Sequence, residues 1–265
     1  MRTDALLDSF LNGLAPLAPV AVWAHGSLAG GDYQEGRSDL DLIAVLDHPI
    51  APRTVWRLAL LHARLRNEPL ADRLHCSYST PKTAADAGRR HLTWAHGRLF
   101  ERPVTPVTRA ELHTFGRVLY GVPPADVLPP VPEEELAAFV VRDQRDYWRR
   151  EVDRAANWTR DVWVDLGLLT FARATVTLRE GRLISKREAL DVLPGLGAPE
   201  EVVEDIGRRR YDDPVPPTEE WIARRARLTR GYLGPAIDAL VAAAGCAPAE
   251  TGAPPRTPLL KGQRG

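Results

Sequence analysis

Val22-Trp23-Ala24-His25-Gly26-Ser27, an eleven-residue spacer, and then Asp39-Leu40-Asp41-Leu42-Ile43-Ala44-Val45 form the stretch on which the reading of this chain turns. The apolar run 20–24 has the composition of a strand. Gly26 follows it, where the backbone can turn sharply and a side chain would block an approaching phosphate. Ser27 adds a hydroxyl and an N–H. Asp39 and Asp41 are two residues apart on a second predicted strand, which sends both carboxylates to one face with their α-carbons about 7 Å apart. Magnesium takes hard oxygen ligands and usually binds one or two carboxylates together with substrate phosphates. The pair therefore suits a Mg²⁺ site that a nucleoside triphosphate would complete. Gly30, Gly31, Gly36 and Ser38 make the spacer between the two pieces a loop.

Composition frames what such a site can serve. The chain has 265 residues, 44% hydrophobic and 26% charged, enough for two modest globular domains. No stretch approaches the ~18 consecutive apolar residues of a membrane span, and Met1-Arg2-Thr3-Asp4 lacks the features of a signal peptide, so a cytoplasmic location is expected. Cys76 and Cys246 match no metal-ligand spacing and read as two reduced thiols. With 35 basic and 35 acidic residues there is no basic excess, which argues against an extended nucleic-acid footprint. A monomer is expected.

The first half alternates strand and helix signals. Residues 53–66 have helical apolar spacing, 73–79 read as a short strand, and 108–120 as a helix stopped by Gly121 and Pro123-Pro124. His91, Trp94, His96 and Arg98 alternate with apolar residues in a strand or lid. Residues 123–132 hold five prolines and read as an extended linker. Beyond it 133–156, 161–180, 185–192, 200–210 and 217–244 read as helices of a bundle. This gives a domain at 1–125, a helical domain at 133–246 and a disordered tail at 247–265, rich in Pro, Gly and Ala.

The order apolar strand, Gly-Ser, spacer, Asp-apolar-Asp-apolar resembles the signature of the polymerase-β-like nucleotidyltransferases. In the second half, Leu168-Leu169-Thr170-Phe171-Ala172-Arg173 and Gly181-Arg182-Leu183-Ile184-Ser185-Lys186-Arg187-Glu188-Ala189 resemble the C-terminal domain of the aminoglycoside adenylyltransferases that act on streptomycin and spectinomycin. That resemblance implies an α/β (α+β) nucleotidyltransferase domain with a mixed sheet, followed by an all-α helical bundle. It implies an enzyme that uses Mg²⁺ to move AMP from ATP to a hydroxyl of a small, cationic, aminoglycoside-like acceptor. Gly26 and Ser27 would hold the triphosphate, Asp39 and Asp41 the metal, and Arg173 and Lys186 would reach across a cleft to the phosphates. The physics agrees, since a triphosphate beside two aspartates needs cations besides the metal, and Arg gives forked contacts where Lys gives a point charge. Only three of the 35 basic residues are lysines: Lys82, Lys186 and Lys261.

One position departs from the family. Where its members carry a glutamate that acts as base in the next strand, this chain has Arg73-Leu74-His75-Cys76-Ser77-Tyr78, and His75 stands in the acid's place. A neutral imidazole can accept a proton at pH 7, but it is a poorer partner for Mg²⁺ than a carboxylate. His75 is thus either the catalytic base or a structural histidine. A cationic acceptor would be drawn by Glu133, Glu134, Glu135, Asp143, Asp146, Asp153, Asp161 and Asp165, with Trp148, Trp158 and Trp163 able to stack on a sugar. The bland alternatives are helix-start acids paired with Arg142, Arg145, Arg149, Arg150 and Arg154, and core tryptophans. Two other functions stay open: nucleotide transfer to a protein side chain, and a degenerate relative that binds nucleotide or a partner without chemistry.

Overall fold

The computed structural model describes residues 2–86, 88–212 and 214–246, so the tail expected to be disordered lies outside the described residues. Helix α1 (Arg2–Leu14) puts Leu6, Phe10 and Leu14 on one face by their four-residue spacing. Strand β1 (Pro19–Ala24) leads into a single turn, α2 (Gly26–Ala29), and a loop delivers β2 (Leu40–Leu46). Helix α3 (Pro52–Leu65), β3 (Leu74–Ser79), a short α4 (Pro81–Ala84) and the hairpin β4 (Arg90–Ala95) and β5 (Arg98–Pro103) follow, then α5 (Pro106–Phe115) and β6 (Arg117–Gly121).

The six strands form one mixed sheet in the order β5-β4-β3-β2-β1-β6, with β2 and β3 parallel and the other pairs antiparallel. Strand alternation sorts its side chains by face. Leu40, Leu42, Ala44 and Leu46 bury with Val22, Ala24, Cys76 and Tyr78 under α1 and α3. Burying a leucine or phenylalanine there is worth about 1.5–3 kcal/mol. The opposite parity, Ala21, Trp23, Ile43 and Val45, meets Leu112 of α5, Val104 and Leu128. Asp41 shares that second face, because it is two residues from Ile43. Burial pushes the Cys76 thiol up to about 12, so it is not a nucleophile.

The rest is helical: α6 (Glu133–Arg142), a π-helical stretch at Asp143–Trp148, α7 (Arg149–Val152), α8 (Asp161–Glu180), α9 (Lys186–Val192), α10 (Glu200–Tyr211) and α11 (Glu219–Cys246). Helix α8 is apolar nearly all round, with Val164, Leu168, Phe171, Ala172 and Val176 buried, and it runs through the middle of this second core. Helix α5 joins the two halves: Leu112 faces the sheet, while Val107 and Ala110 pack on the helical core. No helix among the described residues is long and apolar enough to cross a membrane.

Three expectations are corrected. The helix expected over 108–120 ends at Phe115, and Arg117–Gly121 instead pairs along β1, with Trp23 opposite Val118 and Val22 opposite Tyr120. An edge of β1 stood open, and its backbone groups are satisfied by a strand and not by another helical turn. The chain turns at Gly116, where a Cβ would lie 2.4 Å from the Leu112 carbonyl oxygen. The proline-rich 123–132 is no free linker: Leu128 is buried, the Trp23 indole N–H donates to the Val122 carbonyl at 2.7 Å, and Pro124–Asp126 makes a 3₁₀ turn. The helix expected over 133–156 is broken by the π-helical stretch and ends at Val152.

Candidate active site

Between the sheet and the helical core lies a cavity of about 690 Å³, within the range of small-ligand sites. Gly26, Ser27, Asp41, Arg173 and Lys186 all line it. Gly26 has φ +61°, and a Cβ there would lie 2.9 Å from Asp41 Oδ2, so both its conformation and its closeness to the carboxylate demand glycine. The His25 N–H donates to the Asp41 carbonyl at 2.9 Å, which fixes the glycine turn to the start of β2.

Asp39 stands one residue before β2 and Asp41 within it. Because β2 and β3 are parallel with Asp41 opposite His75, the imidazole lies beside the carboxylates on the same face. His75 Nδ1 is 3.6 Å from Asp41 Oδ1 and 3.9 Å from Asp39 Oδ2. Burial would raise the Asp41 pKa, but His75, with His25 and Arg102 further out, more than reverses this and holds it at about 2. His75 itself is 4% exposed, is not part of the cavity wall, and its Nε2 is buried without a partner. Its ring meets that of His96 edge-on at 4.6 Å. Nε2 is thus closed off, while Nδ1 is turned toward the carboxylates of Asp41 and Asp39.

Two residues outside the expected set occupy the cavity wall. Glu111, on α5 and 5% exposed, accepts from Arg173 Nη2 at 2.5 Å and faces His25 Nδ1 at 3.3 Å. Its pKa would be raised by burial, yet His25 and Arg173 bring it below the usual carboxylate value. His25 lines the cavity, and its Nδ1 is occupied by Glu111. Since the carboxylate holds Nδ1–H, the lone pair of the neutral ring is on Nε2. His25 lies inside the opening motif itself, directly before Gly26, and that adjacency was the available signal; Glu111 sits in an ordinary-looking helix and gave none.

Arg173 is further pinned by a 2.9 Å bond from Nε to the Ile184 carbonyl. Past Gly181, Ser185 caps α9 through a reciprocal pair with Glu188: Ser185 Oγ accepts the Glu188 N–H at 3.1 Å and Glu188 accepts the Ser185 N–H at 2.8 Å. This places Lys186 at the first position of α9. Burial lowers the Lys186 pKa, and Arg210 and Arg173 add to the effect while Asp41 and Asp39 oppose it. Among the described residues its ammonium has no hydrogen-bond or ion-pair partner.

The acids expected to attract a cation lie elsewhere. None of Glu133, Glu134, Glu135, Asp143, Asp146, Asp153, Asp161 or Asp165 lines the cavity, and five of them pair with arginine: Glu135 with Arg109, Asp146 with Arg145, Asp153 with Arg149, Asp161 with Arg225 and Asp165 with Arg209. Trp163 packs edge-on against both Trp148 and Trp158, which are buried in the helical core. The carboxylates on the cavity wall are Asp32, Asp41, Glu111 and Glu188.

No protein-family model matches the chain, and no curated protein matches it in sequence. Among solved structures it is similar to spectinomycin adenyltransferase AAD(9) from Enterococcus faecialis, determined with ATP and spectinomycin, with a TM-score of 0.67 over 89% of this chain and 98% of that chain. At 16% identity the likeness is one of fold. The chain thus has the fold of that protein, here a six-stranded mixed sheet with its helices followed by a helical half.

Proposed function

We propose that this protein is an adenylyltransferase that moves AMP from ATP to a hydroxyl of a small acceptor and releases pyrophosphate. The observation that carries the reading is the meeting in one cavity of the Gly26-Ser27 turn, the Asp41 carboxylate, and Arg173 and Lys186 from the helical half. Support comes from a neighbour of the same fold that was determined with ATP and spectinomycin. Residues 1–125 and 133–246 would form two units that share the site.

Asp39 and Asp41 fit Mg²⁺. They are hard oxygen donors on one face of the sheet, two residues apart, the donor type that Mg²⁺ takes together with substrate phosphates. When bound, the ion would supply charge neutralisation on the phosphoryl oxygens. Gly26 leaves room for the triphosphate and Ser27 offers it a hydroxyl and an N–H. Lys186 gives its unpaired charge to the phosphates, and Arg173, aimed by Glu111 and Ile184, gives a forked donor. The acceptor hydroxyl attacks the α-phosphorus, the bond to the pyrophosphate oxygen breaks, and the hydroxyl proton goes to His25 Nε2. Glu111 orients that ring as the third member of a nucleophile–base–orienter set. His75 holds the two aspartates in register.

The acceptor is read as a small, cationic, aminoglycoside-like molecule. A neighbour of the same fold was determined with spectinomycin, and a bound triphosphate would bring negative charge into the cavity, which draws a cation. Incubating the protein with α-labelled ATP, Mg²⁺ and a panel of aminoglycosides including spectinomycin tests the reading. Labelled, adenylylated acceptor is expected, and label on the protein alone would favour transfer to a side chain instead.

A further inference from the structure

Asp32 follows the glycine pair of the loop, and its N–H donates to the Ser27 carbonyl at 3.0 Å, so it moves with the phosphate-side turn. Its carboxylate is 4% exposed. The donors that reach it come from the other half of the molecule: the Tyr211 hydroxyl at 2.9 and 3.0 Å and the Arg187 backbone N–H at 3.2 Å, with Arg187 Nε at 3.8 Å. The Arg187 guanidinium lies over the Tyr211 ring at 3.8 Å, which ties the start of α9 to the end of α10. A buried carboxylate is costly unless its hydrogen bonds are made. Here they are made across the cleft, so separating the two halves would strand the charge. The residue preceding Arg187 is Lys186, whose ammonium has no partner among the described residues and lines the same cavity.

We infer that Asp32 is a positioning residue that, through Tyr211 and the Arg187 backbone, holds Lys186 on the triphosphate side of the cavity and thereby sets the affinity for ATP. The inference rests on the reading that Lys186 meets the triphosphate. Fixing the backbone at Arg187 leaves only the Lys186 side chain to be ordered when the nucleotide arrives, and such preorganisation is seen as affinity. Without the Asp32 link, ordering the start of α9 is charged against ATP binding.

The test is a double-mutant cycle read by titration of Mg²⁺–ATP into Asp32→Ala, Tyr211→Phe, Lys186→Ala and the two pairwise combinations with Lys186→Ala, with KM for ATP and kcat measured in parallel. Asp32→Ala is expected to raise the Kd for ATP about tenfold and Tyr211→Phe about threefold. In the Lys186→Ala background each should add less than about twofold, because interacting sites are non-additive. A purely structural defect would act equally in both backgrounds. Wild-type affinity in both single variants, or losses that add fully to that of Lys186→Ala, would overturn the inference. Should Asp32→Ala not fold, the Tyr211→Phe arm, which removes one hydroxyl and keeps the ring under Arg187, decides alone. Wild-type affinity in Lys186→Ala would instead overturn the nucleotide assignment beneath the inference, and the two failures are thereby told apart.

Discussion

The Arg173 guanidinium and the Glu111 carboxylate meet at 2.5 Å across the cleft, an α8 side chain bonded to an α5 side chain, and the other oxygen of the same carboxylate faces His25 Nδ1 at 3.3 Å. One buried acid thus fixes both the Arg173 guanidinium and the His25 imidazole, two residues of the cavity wall. A charge-assisted contact of this kind is short and geometrically demanding. Removing the acid should disturb catalysis more than nucleotide affinity.

Glu111→Gln and His25→Ala are therefore expected to lower kcat, His25→Ala by about 10² to 10⁴, the usual range for a positioned base. ATP affinity should hold or rise in Glu111→Gln, since a negative charge beside the triphosphate is lost. Steady-state kinetics with ATP titration in parallel checks this. Unchanged kcat in His25→Ala would remove the imidazole from the proton path.

Asp39→Asn and Asp41→Asn should each abolish transfer while leaving the fold intact, as followed by circular dichroism and thermal unfolding. A metal site of this type supplies several kcal/mol of charge stabilisation to the transition state. Chelation by EDTA should silence the wild type and added Mg²⁺ should restore it. Normal turnover in both variants would sink the metal assignment.

His75→Gln separates two roles for a residue that does not line the cavity. As a brace for Asp39 and Asp41 it should raise the Mg²⁺ concentration needed for half-maximal rate while keeping kcat within about tenfold at saturating metal; a base would lose about 10² to 10⁴ at any metal concentration. A loss of that size, unrelieved by metal, would return the proton to His75.

Acid sensitivity of the fold has a specific source in His62. The ring is buried, stacked on Trp94 at 4.3 Å and hydrogen-bonded to the Tyr78 hydroxyl at 2.6 Å, and burial lowers its pKa to about 3. Its ordinary value is about 6.5. The unfolded chain thus takes up a proton as pH falls through that ordinary value, while the folded protein does not until about 3. Stability is full above the ordinary value and is lost on the way down, by up to about 1.4 kcal/mol per pH unit from this group. Urea unfolding at neutral pH and near pH 5 should show a smaller drop in His62→Gln than in wild type. Equal drops would place the sensitivity elsewhere.

Local patterns made much of this molecule legible. The strands around Val22 and Asp41, the helix after Pro52 and the bundle helices are each written in short-range periodicity, and the Gly-Ser and Asp-x-Asp pieces are each visible as neighbouring residues. What stayed hidden depends on distant partners. Residues 117–121 look helical alone and become a strand because β1 has a free edge. The turn of His75 toward the aspartates follows from the parallel register of β2 and β3, which no local spacing encodes. Glu111 and Asp32 acquire their roles from contacts 62 and up to 179 residues away in sequence. The acids from Glu133 to Asp165 pointed to a substrate but lie off the cavity, and five of the eight pair with arginine, three of them with Arg109, Arg209 and Arg225, distant in sequence.

The central claim, that this cavity transfers AMP to a small hydroxyl acceptor, is tested most directly by mass spectrometry of the acceptor after incubation with ATP and Mg²⁺, using spectinomycin first and then other hydroxylated amines. The account predicts an acceptor heavier by one adenylyl group, pyrophosphate released in equal amount, and loss of both in Asp41→Asn. Tight binding of Mg²⁺–ATP with no adenylylated product from any small acceptor would contradict it and leave a nucleotide-binding protein without the chemistry.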